Sequence, residues 1–340
     1  MPSSAPRRLQ TYATDAITVA FDLNRRIHAA ECIRTAPMVF GRAVRPTAEN
    51  EKAACVVLVA MPNHPHPELR RIAIAATALA ALAAVGFVAI VLSRCPSNDR
   101  DWSPDERALA TARFAGDSAF VHNVRNVRYR TTYDYVVHYE DRVYDLRRLE
   151  SVWFIVEPFS GLKGPAHTFV SFGFDDGQYV AVSVEIRKEV GESFSPWRGA
   201  TRGYELTYVV ADEHELIGLR ANFRHDSVYL YRTTATPEKA RQLFVSMLAR
   251  TDSLAARPEF YNTLTSTCTT NIVRHVNAIS PKRIPFSFQT LLPAYADELA
   301  YKAGLLDTTV AFDVLRAGAR INARAAAYAD SAGFSRLIRG

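Results

Sequence analysis

Residues His167–Arg187 read HTFVSFGFDDGQYVAVSVEIR. Two runs rich in Phe, Val, Ile and Tyr flank Asp175-Asp176-Gly177, and such residues fit a pleated, half-buried surface. The connection from Phe174 to Gln178 predicts a three-residue hairpin in which Gly177 takes the left-handed position. With Phe174 paired to Gln178, His167 stands opposite Glu185 on the same face. A slip of one residue would bring Ile186 there instead. Outward from the hairpin, Phe120–Val124 and Val127–Thr131 alternate, and Ser151–Val156 reads as a more fully buried strand. Leu206–Val210 and Val228–Tyr231 continue the sheet. From Thr236 the period changes: Pro237–Leu254 sets Ala240, Leu243, Phe244, Met247 and Leu248 on one helical face. Thr267–Asn277, Tyr295–Ala303 and Phe312–Tyr328 also predict helices. Strands followed by helices make an α+β domain, with an antiparallel sheet first.

Upstream, Ile72–Leu92 reads IAIAATALAALAAVGFVAIVL, 21 residues without a charge. As a helix it is about 32 Å long, enough for a hydrocarbon core of about 30 Å. Arg70 and Arg71 precede it, Arg94 and Arg100 follow, and this bias predicts a cytoplasmic N-terminus with the C-terminal domain across the membrane. Leu92-Ser93-Arg94-Cys95 is a poor cleavage site, and a buried core helix rarely stays apolar on every face. The expectation is an uncleaved single-pass anchor. Residues 1–71 then form a cytoplasmic tail, with Met61 as an alternative start because MPNHPHPELRR leads straight into the apolar run. Residues 93–105 read as a polar linker, 106–310 as the folded domain and 311–340 as a helical extension.

Composition excludes several classes. At 48% hydrophobic and 22% charged residues the chain is neither disordered nor collagen-like. Its formal charge is +6, but 10 basic against 6 acidic residues fall in 1–71, so the remainder is close to neutral and no nucleic-acid partner is expected. No Walker-type loop, GxGxxG or metal-ligand spacing occurs, so neither cofactor nor metal is expected. Cys32 and Cys55 precede the apolar run, Cys95 ends it, and Cys268 stands alone in the folded part. That pattern suits an exported domain without disulfides.

Cys268 is the leading candidate for chemistry. Thr265, Ser266 and Thr267 are helix-capping types, and Ile272, Val273 and Val276 begin a helical face. Unpaired amides and the helix dipole in a first turn favour a thiolate, and the same amides suit an oxyanion. A small apolar filler is the competing reading of a lone thiol. His167, at the start of a strand, is the candidate base, and Glu185 opposite it the group that orients the imidazole. A hydrogen-bonded structural histidine is the alternative there. His275 lies two helical turns from Cys268, about 10 Å away, and reads as structural or substrate-side. Glu185–Trp197 mixes charge with Gly, Pro and aromatics, which describes either a solvated loop or one bordering a cleft, with Trp197 covering it or meeting the bilayer.

The blocks HTFVSFGF (167–174), EIRKE (185–189), YVVADE (208–213), YLYR (229–232), YNTL (261–264) and CTTNI (268–272) occur in this order, after HNVRN (122–126). Over about residues 100–310 they resemble the Lnb N-terminal periplasmic domain family. The resemblance implies a bacterial lipoprotein N-acyltransferase activity and a permuted papain-like, or NlpC/P60-like, fold in which histidine precedes cysteine. It also implies Cys268 as nucleophile and His167 as base. The resulting expectation is a periplasmic, cysteine-dependent acyltransferase anchored in the bacterial inner membrane, acting on lipid or lipoprotein acyl groups. Its partners would be inner-membrane lipid and lipoproteins or cell-wall peptides. A thiol hydrolase of amides and a noncatalytic periplasmic binding domain are the alternatives.

Overall fold

The computed structural model describes residues 9–13, 18–22, 54–56, 67–161 and 164–340. The chain divides into two units, Met1–Val88 and Ala89–Gly340. The first contains a three-stranded antiparallel sheet, β1 (Leu9–Ala13), β2 (Thr18–Asp22) and β3 (Ala54–Val56), which the sequence reading passed over. Met61, the alternative start, lies outside the described residues. Helix α1 (Pro67–Ser93) includes the whole apolar run, and Arg70–Ser93 is long and apolar enough to cross a membrane.

The second unit is built on an eight-stranded sheet: β4 (Thr111–Ala115), β5 (Ser118–Arg125), β8 (Tyr139–Asp145), β9 (Leu149–Pro158), β10 (Ala166–Phe174), β11 (Tyr179–Arg187), β12 (Glu205–Asp212) and β13 (Tyr229–Arg232). Of the expected strand Val127–Thr131, Arg128–Tyr129 forms β6, which pairs apart from the main sheet with β7 (Tyr135–Val136). Sheet order is β13-β9-β10-β11-β12-β5-β4, with β8 also on β5. All pairings are antiparallel except the contact of β12 with β5 at Ala211 and Arg125. The β10–β11 hairpin has the expected turn: Phe174 N–H donates to Gln178 O, and Gly177 has φ of +82°. Phe169 pairs with Ser183, a register that continues to His167 opposite Glu185.

Residues i and i+2 share a face of a strand, and here the two faces carry different layers. Val170, Phe172 and Val182 pack under α4 (Pro237–Ala256) and α5 (Cys268–Ile279), with Leu243, Phe244, Met247 and Ile272 in the same core. Ile155, Phe169, Ala181 and Val209 face the other way, beneath α3 (Glu213–Gly218) and the C-terminal extension, which contributes Ile321, Ala325, Phe334 and Ile338. After α6 (Phe288–Leu291) and α7 (Ala296–Lys302), the stretch Phe312–Tyr328, expected as one helix, is two, α8 (Phe312–Ala319) and α9 (Asn322–Ala327). The break occurs where Arg320 bridges to Tyr229 and Ile321 N–H donates to Val228 O, so edge-strand pairing outcompetes helix continuation. Of residues 93–105, read as a linker, Ser93 ends α1 and the rest are bonded into the domain. Ser97 N–H donates to Glu205, the Asn98 amide to Leu254 O and Ala255 O, and the Arg187 guanidinium lies 4.1 Å above the Trp102 ring.

Helix α2 (Pro196–Ala200) closes against the turn before α5. The Thr263 hydroxyl donates to Pro196 O at 2.8 Å, and a Cβ built on Gly199 would stand 2.3 Å from that same hydroxyl oxygen. Gly199→Ala therefore displaces α2 or the turn at Thr263. The expected loss is about 1–3 kcal/mol of stability, read as a lowered midpoint in urea, and an unchanged midpoint would mean the turn yields freely.

Candidate functional site

Cys268 is the first residue of α5, and local sequence explains why the helix starts there. Thr267 caps it: its hydroxyl accepts from Thr270 N–H at 3.2 Å, while Thr267 N–H donates to the Thr270 hydroxyl at 2.8 Å. This reciprocal pair satisfies two otherwise orphaned donors. The thiol is buried, 3.9 Å from the Thr269 hydroxyl. Thr269 in turn sits 2.9 Å from the Thr168 hydroxyl of β10, seating α5 on the sheet. Beside this helix start lies an apolar cavity of about 240 Å³, walled by Val170 of β10, Leu243 of α4, Thr269, Ile272 and Val276 of α5, and Leu299.

His275 is held further along α5. Tyr208 OH donates to Asn271 Oδ1 at 3.2 Å and accepts from His275 Nε2 at 3.0 Å, leaving His275 Nδ1 to accept from the Ser246 hydroxyl at 2.8 Å. Burial, with Arg250 and Arg274 nearby, pushes the imidazole down to about 4. It is neutral, with both ring nitrogens hydrogen-bonded.

His167 and Glu185 meet on the opposite face of the sheet. Ser183 stands between them: its hydroxyl donates to Glu185 Oε1 at 2.7 Å and lies 2.7 Å from His167 Nε2. Because the hydroxyl proton goes to the carboxylate, His167 donates from Nε2, and Nδ1 is the unprotonated nitrogen. Burial, reinforced by Arg220 and opposed by Glu185, lowers the imidazole to about 3. Burial alone would raise Glu185, but Arg220 and then Arg125 outweigh it and hold the carboxylate well below its usual range. Arg220 donates to Glu185 at 3.0 Å, to Glu157 at 2.6 Å and to Leu216 O at 3.0 Å. Arg125 donates to Glu215 at 2.8 Å, and Glu215 also accepts from Val127 N–H. Burial pushes Glu157 up to about 7 and Glu106 up to about 8, against Arg220 and Arg125 respectively.

The expected pair of Cys268 with His167 is thus not formed. Thr168, not His167, reaches the start of α5, while His167 stacks on Phe169 at 5.7 Å beneath the other layer. The physical reason is strand parity: adjacent residues of β10 point to opposite faces, and β9 and β11 flank the strand on both sides. Glu185 keeps its place opposite His167 but touches it through Ser183, the direct separation from Nε2 being 3.6 Å. Arg220, Glu157, Arg125 and Glu215 escaped the sequence reading. Their signal was weak: charges in an apolar stretch, LIGLRANF, normally read as a solvated face. Among the described residues, no group of three or more His, Cys, Asp or Glu is placed to hold a metal ion.

Comparison with curated proteins and with solved structures gives no match to this chain. A family model does match, over residues 135–294, and its span takes in β10, β11 and the start of α5 with His167, Glu185 and Cys268. That part of the chain, carried behind a helix able to cross a membrane, belongs to the Lnb N-terminal periplasmic domain family.

Proposed function

We propose that this protein is a cysteine-dependent acyltransferase held at the periplasmic face of the bacterial inner membrane. The observation that carries the reading is the position of Cys268: a thiol at a capped helix start, next in the chain to Thr269, which lines an apolar cavity. Backbone amides at such a start suit the oxyanion of a tetrahedral intermediate, and an apolar cavity suits a lipid acyl chain. The Cys268 sulfur attacks the ester carbonyl of a phospholipid, the C–O bond breaks as the S–C bond forms, and the thiol proton goes to the leaving alkoxide. An amine, such as a lipoprotein N-terminus, then attacks the thioester, forming the amide and returning the proton to sulfur. His167 takes no part as the direct base. Its role in this reading is to complete the buried network behind the sheet. The resemblance to permuted papain-type folds supports the thiol as nucleophile, while the parity of β10 sets the histidine pairing aside.

The burial of Cys268 favours one second reading, a noncatalytic domain whose cavity binds an apolar ligand. Full-length protein supplied with a phospholipid bearing an alkyne-tagged acyl chain separates the two. The expected result is a hydroxylamine-sensitive label on the wild type that is absent from Cys268→Ala and retained by His167→Ala. A label that persists in Cys268→Ala, or no label on a folded wild type, overturns acyl transfer through this thiol. Release of the label by added amine rather than by water separates transfer from hydrolysis.

A further inference from the structure

The end of α1 is fastened to one edge of the domain. Arg202 donates to Leu92 O at 3.1 Å, and Arg94 donates to Thr201 O at 3.0 Å, so the last turn of the apolar helix and the loop after α2 are bonded to each other. That edge carries three exposed apolar side chains: Phe194 at 46%, Trp197 at 67% and Leu264 at 59% exposure. They lie on two neighbouring segments, since Thr263 donates to Pro196 O across the gap. Arginines frame the patch. Arg198 is partly exposed and lies 4.8 Å above the Tyr204 ring, and the acid beside it, Glu192, is taken up by Arg198 itself. Arg202 stacks over Phe260 at 5.9 Å.

We propose that this edge, formed by residues 190–202 and the turn 262–266, rests in the lipid headgroup layer. Trp and Arg beside apolar side chains are the composition of the membrane–water interface, where an aromatic ring is apolar on its body and polar at its rim. Such surfaces hold by apolar insertion together with attraction to anionic headgroups. What selects a bilayer over a protein as the occupant is continuity with α1. The bonds from Arg94 and Arg202 to the helix end put the patch at the level where that helix leaves the hydrocarbon. The inference stands apart from acyl transfer, because the same edge would meet lipid whether or not Cys268 reacts.

Tryptophan emission of full-length protein in vesicles of phosphatidylcholine and phosphatidylglycerol tests it. The quencher is phosphatidylcholine brominated near the top of its acyl chains. Trp102 is buried and Trp153 half-buried, so Trp197 is the tryptophan within reach of lipid. Brominated vesicles are expected to lower wild-type emission by roughly a third, one of three indoles, and Trp197→Phe to lose that quenching. Leu264→Trp added to Trp197→Phe is expected to restore it. Equal quenching of wild type and Trp197→Phe overturns the proposal and leaves a protein partner as what covers these side chains. Failure of Leu264→Trp to restore quenching in a folded protein overturns the part assigned to the turn 262–266.

Discussion

Arg220→Met is expected to lower stability by about 3–5 kcal/mol, which in a domain of this size moves the melting temperature by about 10 °C. The guanidinium is 4% exposed and serves three acceptors: Glu157, Glu185 and Leu216 O. It also lies 5.0 Å above the Phe169 ring. Methionine replaces the stem but leaves Glu157 and Glu185 in the interior without the guanidinium from which both accept. Glu157 Oε1 already has no hydrogen-bond partner, with Arg224 only within 3.9 Å. Arg220→Lys is expected to recover little, because one ammonium cannot reproduce the planar fork that spans Glu157 and Glu185. Thermal unfolding of the full chain in detergent, followed by circular dichroism, reads both variants. A melting temperature for Arg220→Met equal to wild type would mean that the network carries no stability.

Acidification from about pH 6 to pH 4 costs the wild type up to about 1.4 kcal/mol per pH unit that His167→Gln does not lose. The folded imidazole is lowered to about 3, while in the unfolded chain it titrates near its ordinary value of about 6.5. In that window the unfolded chain binds a proton that the native state refuses. The contribution of His167 is therefore complete above pH 6.5 and drains away as the pH falls toward 3. Glu157 and Glu106 act in the reverse sense, since raised carboxyls bind protons in the native state that the unfolded chain has released; their contribution is lost as pH rises toward 7 and 8. Subtracting the two unfolding profiles cancels those shared terms. The measurement is the pH slope of the urea midpoint, and parallel slopes for wild type and variant would show that His167 titrates as in water.

The β10–β11 hairpin was legible because two signals agreed, a turn with glycine at its left-handed position and strand composition on both sides of it. The start of α5 was legible for a similar reason: threonines placed for capping precede Ile272 and Val276 at helical spacing. The face of His167 was not legible. Phe169 on one side of β10 and Val170 and Phe172 on the other are all buried, so alternation carries no sign of which layer covers which side. Only tertiary packing assigns α5 to the side of Thr168. The ionic network was hidden for another reason. Arg125 and Glu215 are 90 positions apart in sequence and 2.8 Å apart in space, and a charge gives no local hint that its partner will bury it.

The bonds from Arg94 and Arg202 to the ends of α1 and α2 bear on how substrates arrive. Had residues 94–105 been a free leash, the domain would have roamed over about 20 Å and swept a volume of periplasm. Instead, Ser97, Asn98 and Trp102 spend that length of chain on the domain's own surface. In the proposed membrane-anchored protein, molecules that share the bilayer would then reach the domain by lateral diffusion, while those free in solution gain nothing from the tether.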